Sequence, residues 1–310
     1  MAARSICRRH ALVLICAGLA LVPDRDSVAQ APAAFELAIV DVDGTKRVLG
    51  QLPPSTYAPR LSPDGRRIAF ETRDRSAPEG ARLWVAELSD PSARRALPPT
   101  GAPLDWAPMW TPDGDRLVFI VSSERGDAIH WRRADGTGTP EHLIDARAAE
   151  GWMPGGTQLR FLTLKETGGS RDYGIALLDM SSRAITMVID LPGSAQHSSA
   201  VSPDGRWMAY ASNETGRYEV WLEPLPGTGM RYRITKDGGS HPLWRPDGRA
   251  LYFDRDHQMF SVAVNVNDPA SIGAPVALPI TGFAQAEYRR QFDLLSNGRE
   301  FLMLFPVSSR

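Results

Sequence analysis

Apolar and polar residues alternate along the chain in short runs that are separated by tight turns. In the stretch Val201–Tyr210, two apolar-rich runs flank the phrase Ser202-Pro203-Asp204-Gly205. Proline presets the backbone at the second position of a turn, Asp tolerates the third and Gly closes the fourth, which is the order that a type I turn prefers. The pattern therefore predicts two antiparallel strands joined by this turn.

The same phrase recurs at a spacing of 42 to 50 residues, beginning at Ser62, Thr111 and Arg245, with degenerate copies at Met153 and Leu295. Repeats of this length are typical of propeller blades. Third alternating runs are found at Phe35–Val42, Arg82–Leu88, Ala128–Arg133, Gly174–Met180, Glu219–Leu225 and Met259–Val264. Fourth runs include Arg94–Leu97, His142–Asp145, Ile185–Asp190, Tyr232–Thr235 and Pro275–Pro279. Four short antiparallel strands per repeat, with no convincing helical period, predict an all-β propeller.

The two ends of the repeat region complement each other. Residues 35–52 have the pattern of a third and fourth strand with no first or second strand before them. Residues 291–305 have the pattern of a first and second strand with no third or fourth after them. We therefore predict a six-bladed β-propeller whose last blade is closed by both termini, an arrangement that removes exposed sheet edges.

The first 31 residues have the order of a secretory signal. Arg4, Arg8 and Arg9 precede an apolar stretch at Ala11–Val22, and small residues around Ala29 offer a cleavage site. A membrane anchor is the alternative, but this stretch is shorter than the roughly 20 residues that a spanning helix needs. We expect a signal peptide at 1–31, a single propeller domain at 32–310 and a periplasmic or secreted protein. Sec and twin-arginine export both remain open.

Composition narrows the classes of function. Both cysteines, Cys7 and Cys16, lie in the signal, so the mature chain would have no disulfide and no cysteine metal site. The formal net charge is −1, and no basic run gives the electrostatic footprint of a nucleic-acid binder. Later apolar runs are only as long as a strand, so we expect no membrane span after cleavage.

Several phrases carry a family resemblance. The stretches 122–129 (Ser-Ser-Glu-Arg-Gly-Asp-Ala-Ile) and Ser202–Gly205 resemble the WD-like repeat of TolB-like six-bladed propellers. Residues 211–220 and 237–242 are similar to propellers fused to bacterial serine/threonine kinases. The resemblance covers about 35–306 and implies the fold, with partner binding at one mouth of the central channel. The resemblance is to the propeller alone, and we expect no counterpart of the α/β domain that precedes the propeller in TolB.

The starts of the innermost strands are the candidate site. In a propeller they surround one end of the central channel, which we call the channel mouth. Residues just ahead of each first strand are Tyr57, Trp106, Arg147, His197, His241 and Arg290. Aromatic, imidazole and guanidinium groups together suit a polar or anionic ligand or a peptide end. Ordinary loop residues without a ligand are the alternative.

Other candidates have simpler structural interpretations. Asp64, Asp113, Asp204 and Asp247 stand in turns, where Asp bonds its own backbone. Three tryptophans just before turns, Trp110, Trp152 and Trp244, favour packing between blades over a sugar-stacking platform. Only His197 and His241 among the histidines occupy equivalent places in adjacent repeats, which makes a weak metal site. We expect neither a metal nor another cofactor.

These observations favour an exported, monomeric, non-enzymatic scaffold that binds a protein or peptide of the cell envelope, or a small ligand, at the channel mouth. The alternative is a lyase or hydrolase that acts on a polysaccharide through a histidine site in the channel. A purely structural role in an envelope assembly is a third possibility. The sequence contains no Gly-x-Ser-x-Gly nucleophile motif, which disfavours an α/β-hydrolase activity like that of prolyl oligopeptidases.

Overall fold

The structure is a computed structural model that describes residues 34–73, 80–167, 170–265, 272–286 and 288–307. Within these ranges the chain forms 24 strands and no helix, so the all-β prediction is confirmed. Consequently no helix of the described residues could cross a membrane. The predicted signal peptide, residues 1–31, lies outside the described residues.

The strands are short and follow one another closely. In chain order they are β1 (Ala34–Asp41), β2 (Lys46–Leu52), β3 (Thr56–Leu61), β4 (Arg67–Arg73), β5 (Ala81–Glu87), β6 (Asp90–Ala96), β7 (Leu104–Trp110), β8 (Arg116–Ser123), β9 (Gly126–Arg133), β10 (Glu141–Asp145), β11 (Ala148–Trp152), β12 (Gln158–Thr167), β13 (Ser170–Asp179), β14 (Ile185–Ile189), β15 (Gln196–Val201), β16 (Trp207–Ser212), β17 (Glu219–Pro224), β18 (Tyr232–Arg233), β19 (Ser240–Trp244), β20 (Ala250–Arg255), β21 (Gln258–Ala263), β22 (Val276–Thr281), β23 (Phe292–Leu294) and β24 (Glu300–Val307).

These strands pair antiparallel with their neighbours in sets of four. Set 1 is β3–β6, set 2 is β7–β10, set 3 is β11–β14, set 4 is β15–β18 and set 5 is β19–β22. Sets 1 and 2 share one sheet because a single parallel pair, Ala81 with Leu104, joins them. The remaining sheet has the strand order β2-β1-β24-β23, and we call it the closing sheet.

The closing sheet brings together strands from both ends of the described chain. β1 pairs with β24 at eight positions, from Ala34 opposite Val307 to Asp41 opposite Glu300. β23 pairs with the other edge of β24, and β2 pairs with the other edge of β1. The stretch Phe35–Leu49 therefore lies in one sheet with Phe292–Leu304.

The core consists of apolar clusters that lie between successive sets. Adjacent residues of one strand enter opposite clusters, because side chains of a strand alternate between its two faces. Each cluster contains buried residues of two neighbouring sets, or of one set and the closing sheet: Phe35 with Phe70, Leu83 with Phe119, Ile129 with Phe161, Leu162 with Met208, Leu222 with Phe253, and Tyr252 with Phe301. Sheet-to-sheet packing of this kind is the core of a β-propeller.

The turns after the first strands have the predicted hydrogen bonds. In the turn that begins at Ser62, the Gly65 amide donates to the Ser62 carbonyl over 2.8 Å, and the degenerate turn at Met153 has the same bond from Gly156 over 2.9 Å. Asp64 accepts bonds from the Ser62 hydroxyl at 2.5 Å and the Arg66 amide at 3.0 Å. The interpretation of these aspartates as turn residues is confirmed.

The tryptophans before the turns join neighbouring sets. Trp110 and Trp244 are buried in inter-set clusters, and Trp152 packs against another. Each indole N–H donates to a carbonyl in the first strand of the preceding set: Trp110 to Arg60 at 3.0 Å, Trp152 to Trp110 at 2.9 Å and Trp244 to Ala200 at 3.2 Å. The packing interpretation is therefore confirmed.

Candidate functional site

The first strand of each of sets 1 to 5 contains a β-bulge near its start. The pairing register shifts between Tyr57 and Arg60 in β3, and equivalent shifts occur in β7, β11, β15 and β19. Four bulges hold a non-glycine residue at positive φ, namely Ala58, Ala107, Ser198 and His241 at 51°, 53°, 56° and 52°. A bulge redirects neighbouring side chains. The candidate residues Tyr57, Trp106, His197 and His241 lie at or next to these bulges.

Three of the six candidates meet in an arginine–aromatic cluster, which we define as Tyr57, Trp106, Arg73, Arg147 and Arg289. The Arg73 and Arg289 guanidinium carbons both lie 5.3 Å from the Trp106 ring centre, and that of Arg147 lies 5.1 Å away. The Tyr57 ring lies 5.3 Å from Arg289 and 5.9 Å from Arg73. These are cation–π distances.

Glu71 is the buried counter-charge of this cluster. One oxygen accepts from Arg73 Nε at 2.9 Å and from Arg289 Nη1 at 2.5 Å, and the other accepts from the Ala107 amide at the bulge of β7. The Glu71 side chain is 0% exposed, whereas those of Arg73 and Arg289 are 28% and 22% exposed. Burial lowers the pKa of Arg289, and Glu71 opposes this effect.

A second carboxylate holds the other side of the cluster. Asp127 accepts from Arg147 Nη1 at 2.6 Å and from the Ser122 hydroxyl. Ser122 in turn accepts the Trp106 indole N–H at 2.7 Å. Three guanidinium groups thus face two carboxylates, which leaves the cluster with an excess of one positive charge.

His197 and His241 also converge, in a separate aromatic pocket with Tyr218 and Tyr288. The two imidazole centres are 5.9 Å apart, and the His197 ring lies 4.4 Å from Tyr218 and 5.5 Å from Tyr288. Both histidines are buried. Burial is the main cause that holds the pKa of His197 well below 6.5, and the nearby His241 acts in the same direction. The His197 ring is therefore neutral at pH 7.

The Nδ1 atoms of the two histidines have partners, but the Nε2 atoms do not. Nδ1 of His241 donates to Asp254 at 2.8 Å, and the other Asp254 oxygen accepts from Gln285 at 2.7 Å. Nδ1 of His197 lies 2.8 Å from the Ser198 hydroxyl. Both Nε2 atoms are buried without a hydrogen-bond partner. Among the described residues, however, no group of three or more His, Cys, Asp or Glu residues could hold a metal ion.

Arg290, the sixth candidate, lines a different region. Its guanidinium donates to Asp293 at 3.0 Å and to the Phe292 carbonyl at 2.9 Å. Together with Arg60 and Asp293 it lines an open cavity of about 560 Å³ near the ends of the first strands. The six candidates thus divide into three places: Tyr57, Trp106 and Arg147; His197 and His241; and Arg290.

Sequence reasoning missed Arg73, Arg289, Glu71 and Asp254. A signal for the two acids was available in the repeat. Glu71 and Asp254 both stand six residues after the turn glycine, where the other four copies have apolar residues: Ile120, Leu162, Ala211 and Leu304. A carboxylate at a position that is otherwise apolar indicates a local role that packing does not require.

Comparisons with known proteins support a propeller. No protein-family model matches the chain. An uncharacterized protein of Agrobacterium fabrum is 24% identical over 211 residues, which cover 67% of this chain and 68% of that protein. The Tol-Pal system protein TolB of Anaeromyxobacter dehalogenans is 31% identical over 113 residues, but these cover only 36% of this chain and 24% of TolB.

Solved structures extend the similarity over most of the chain. A protein assigned as TolB from Agrobacterium tumefaciens has a TM-score of 0.68 at 21% identity and covers 88% of this chain and 99% of its own. TolB from Acinetobacter baumannii has a TM-score of 0.55 at 18% identity, with 79% and 65% covered. A prolyl endopeptidase matches at 0.52 and 15% identity, over 82% of this chain and 40% of its own. At these identities the likeness concerns the fold, and in fold the chain is similar to TolB-like β-propellers.

Proposed function

We propose that this protein is a non-enzymatic propeller scaffold that binds an anionic ligand at the channel mouth. The observation that carries this proposal is the arginine–aromatic cluster, whose three guanidinium groups outnumber the two carboxylates that hold them. Arg147 remains 36% exposed, so a ligand can reach its charge. A peptide carboxylate, an acidic side chain or a small anion would complement the cluster.

The ring that presents the cluster has six blades and is closed by both termini in this proposal. The pairing of β1 with β24 supports closure, because it completes a four-stranded sheet from the two ends of the chain. The clusters that join each set to the next, and set 5 to the closing sheet, support six blades. A rigid ring lowers the entropy cost of holding the cluster in its binding geometry.

Export, location and partner are further parts of the proposal. The order of charged, apolar and small residues within 1–31 supports a cleaved signal and a periplasmic or secreted protein. The name of one relative, a Tol-Pal system protein, supports a partner of the cell envelope. The protein acts as a monomer, and of the six candidate residues Tyr57, Trp106 and Arg147 contact the ligand at the channel mouth.

A pull-down from an envelope extract tests this function. The variant Arg147→Gln/Arg289→Gln removes two cluster charges and keeps polar side chains of similar length. The control variant, Arg66→Gln/Arg125→Gln, removes two charges from exposed positions. We expect the control to retain the wild-type partners and the cluster variant to lose at least one of them. Identical partner lists from all three proteins would refute the proposed site.

The two buried histidines favour a second candidate function. Convergence of His197 and His241 to 5.9 Å, with Asp254 on one ring, is the arrangement that a polysaccharide lyase or hydrolase with a channel histidine site would need. This candidate predicts that the protein depolymerises an acidic polysaccharide and that His197→Gln abolishes the reaction. A polysaccharide panel that shows no new reducing ends with the wild type would remove it.

A further inference from the structure

None of the residues that line the cavity near the ends of the first strands belongs to the arginine–aromatic cluster. The cavity volume of about 560 Å³ is in the range of small-molecule sites. Residues at the ends of four first strands line it, including Arg60, Met109, Trp152 and Val201. Residues of the turns that follow β3, β7 and β11 also line it, among them Pro63, Pro112 and Gly156. The tryptophan and methionine side chains provide apolar walls on which an aromatic or aliphatic body can pack.

The polar groups of this cavity carry unbalanced positive charge. Arg60 Nη1 donates to the carbonyls of Pro59 and Arg290, at 2.8 and 3.0 Å, and Arg60 has no ion pair with any described carboxylate. Arg290 has one ion pair, with Asp293. Two guanidinium groups therefore share one carboxylate. Asp293 also accepts the Leu61 amide at 3.0 Å, so part of its hydrogen-bonding capacity is already used.

The surroundings of Arg60 make this imbalance unfavourable. Burial, followed by repulsion from Arg290, lowers the pKa of Arg60 to about 9, although the carboxylates of Asp293 and Glu71 act in the opposite direction. Arg160 lies nearby and has a pKa lowered to about 10 by burial, with Arg290 contributing in the same direction. An arginine that is poorly solvated and close to like charges is stabilised by any anion that enters its site.

We propose that this cavity is a second binding site, which takes a carboxylate-bearing ligand with an aromatic or branched apolar body. The carboxylate pairs with Arg60 and Arg290, and the apolar body packs between Trp152 and Met109. Such a group occurs both in free N-acylated amino acids and at the C-terminus of a peptide that ends in an apolar residue. The site is independent of the function proposed for the channel mouth.

Isothermal titration with matched probes tests this site. N-acetyl-L-phenylalanine carries the carboxylate, and its amide has the same body without the charge. We expect the acid to bind at least about tenfold more tightly than the amide, with the difference shrinking as salt is added. A tetrapeptide with a free C-terminal Phe, compared with its amide, distinguishes the peptide source from the free amino acid. Equal affinity of acid and amide, or no binding of either at millimolar concentration, would overturn the proposal.

Variants assign the binding to the cavity. Arg60→Gln should abolish the preference for the acid, and Arg60→Lys should retain it. The exposed Arg66→Gln variant loses the same charge outside the cavity and should bind like the wild type. Met109→Trp fills the cavity without a change of charge and should weaken the binding of the acid. This variant tests the site independently if Arg60→Gln does not fold. Wild-type affinity in Met109→Trp would place the ligand elsewhere and refute the inference.

The outcome is separable from the test of the channel mouth. Loss of envelope partners in Arg147→Gln/Arg289→Gln with intact acid preference supports both sites. Loss of the acid preference in Arg60→Gln with intact partners likewise supports two independent sites. If the variant of the channel mouth abolishes the acid preference while Arg60→Gln does not, the carboxylate binds at the mouth and the second site does not exist.

Discussion

Glu71 is the residue whose removal should disturb the channel mouth most. Its carboxylate is fully buried and accepts from three donors in distant parts of the chain: Arg73 of set 1, the Ala107 amide of set 2 and Arg289 before β23. The substitution Glu71→Ala leaves two guanidinium groups without their counter-charge and a bulge amide without its acceptor. These are the conditions under which a lost buried partner is most destabilising.

The size of the effect follows from these contacts. Removal of one member of a buried ion pair typically costs about 3–5 kcal/mol. Arg73 and Arg289 keep some contact with water, at 28% and 22% exposure, so the lower end of that range applies. We expect Glu71→Ala to lower the free energy of unfolding by about 3 kcal/mol and Glu71→Gln by about 2 kcal/mol. The Gln side chain keeps a carbonyl oxygen that can accept a hydrogen bond, but its NH₂ group faces partners that are themselves donors.

Urea unfolding at pH 7, followed by tryptophan fluorescence, measures this change as a shift of the midpoint. Glu141→Ala is the control, because Glu141 also accepts from an arginine and another donor but its side chain is 57% exposed. Exposed ion pairs contribute little to stability. If the midpoints of Glu71→Ala and Glu141→Ala shift equally, the reasoning from burial is wrong.

Three further substitutions test the repeat and the histidine pocket. Gly156→Ala should lower the free energy of unfolding in urea more than Gly65→Ala does. Both glycines have positive φ, but only at 156 would a Cβ lie 3.0 Å from the proline of the preceding turn. Equal losses of stability in the two variants would contradict this contact. Trp152→Phe removes the indole bond to the Trp110 carbonyl and should cost about 1 kcal/mol in the same assay, whereas a neutral result would exclude a contribution from that bond. The pKa of His197 is lower in the folded protein than in the unfolded chain, so the unfolded chain binds more protons below pH 6.5. The free energy of unfolding therefore falls as the pH drops below 6.5, by up to about 1.4 kcal/mol per pH unit. His197→Gln should flatten this decline between pH 6.5 and 5, and an unchanged slope would contradict the assignment.

The strands could be predicted closely because their signals are local. β17 was expected at Glu219–Leu225 and extends over Glu219–Pro224, and the turn at Ser202 has its expected hydrogen bonds. Alternation of side chains and turn chemistry act over a few residues, so they can be recognised without knowledge of the rest of the fold.

The candidate site was harder to predict because its members meet across distant parts of the chain. The repeat places Tyr57 and Trp106 at equivalent positions, each beside a bulge of its first strand. It could not find Arg289, whose partner Glu71 is 218 positions away in the sequence. It also grouped Arg290 with the channel mouth, whereas its side chain turns toward Asp293 and the cavity. Local pattern specifies the position of a backbone, but the direction of a long side chain depends on its neighbours in space.

The closing sheet has a consequence for how the chain folds. β1 obtains its β24 partner only when nearly the entire polypeptide is present, so during synthesis its apolar residues Leu37 and Ile39 have no counterpart from β24. Contacts between such distant segments form slowly, and unpaired strands are prone to aggregate in the meantime. The nascent protein should therefore depend on chaperones until β24 emerges, and a truncation that removes β24 should affect solubility more than the few lost residues would suggest.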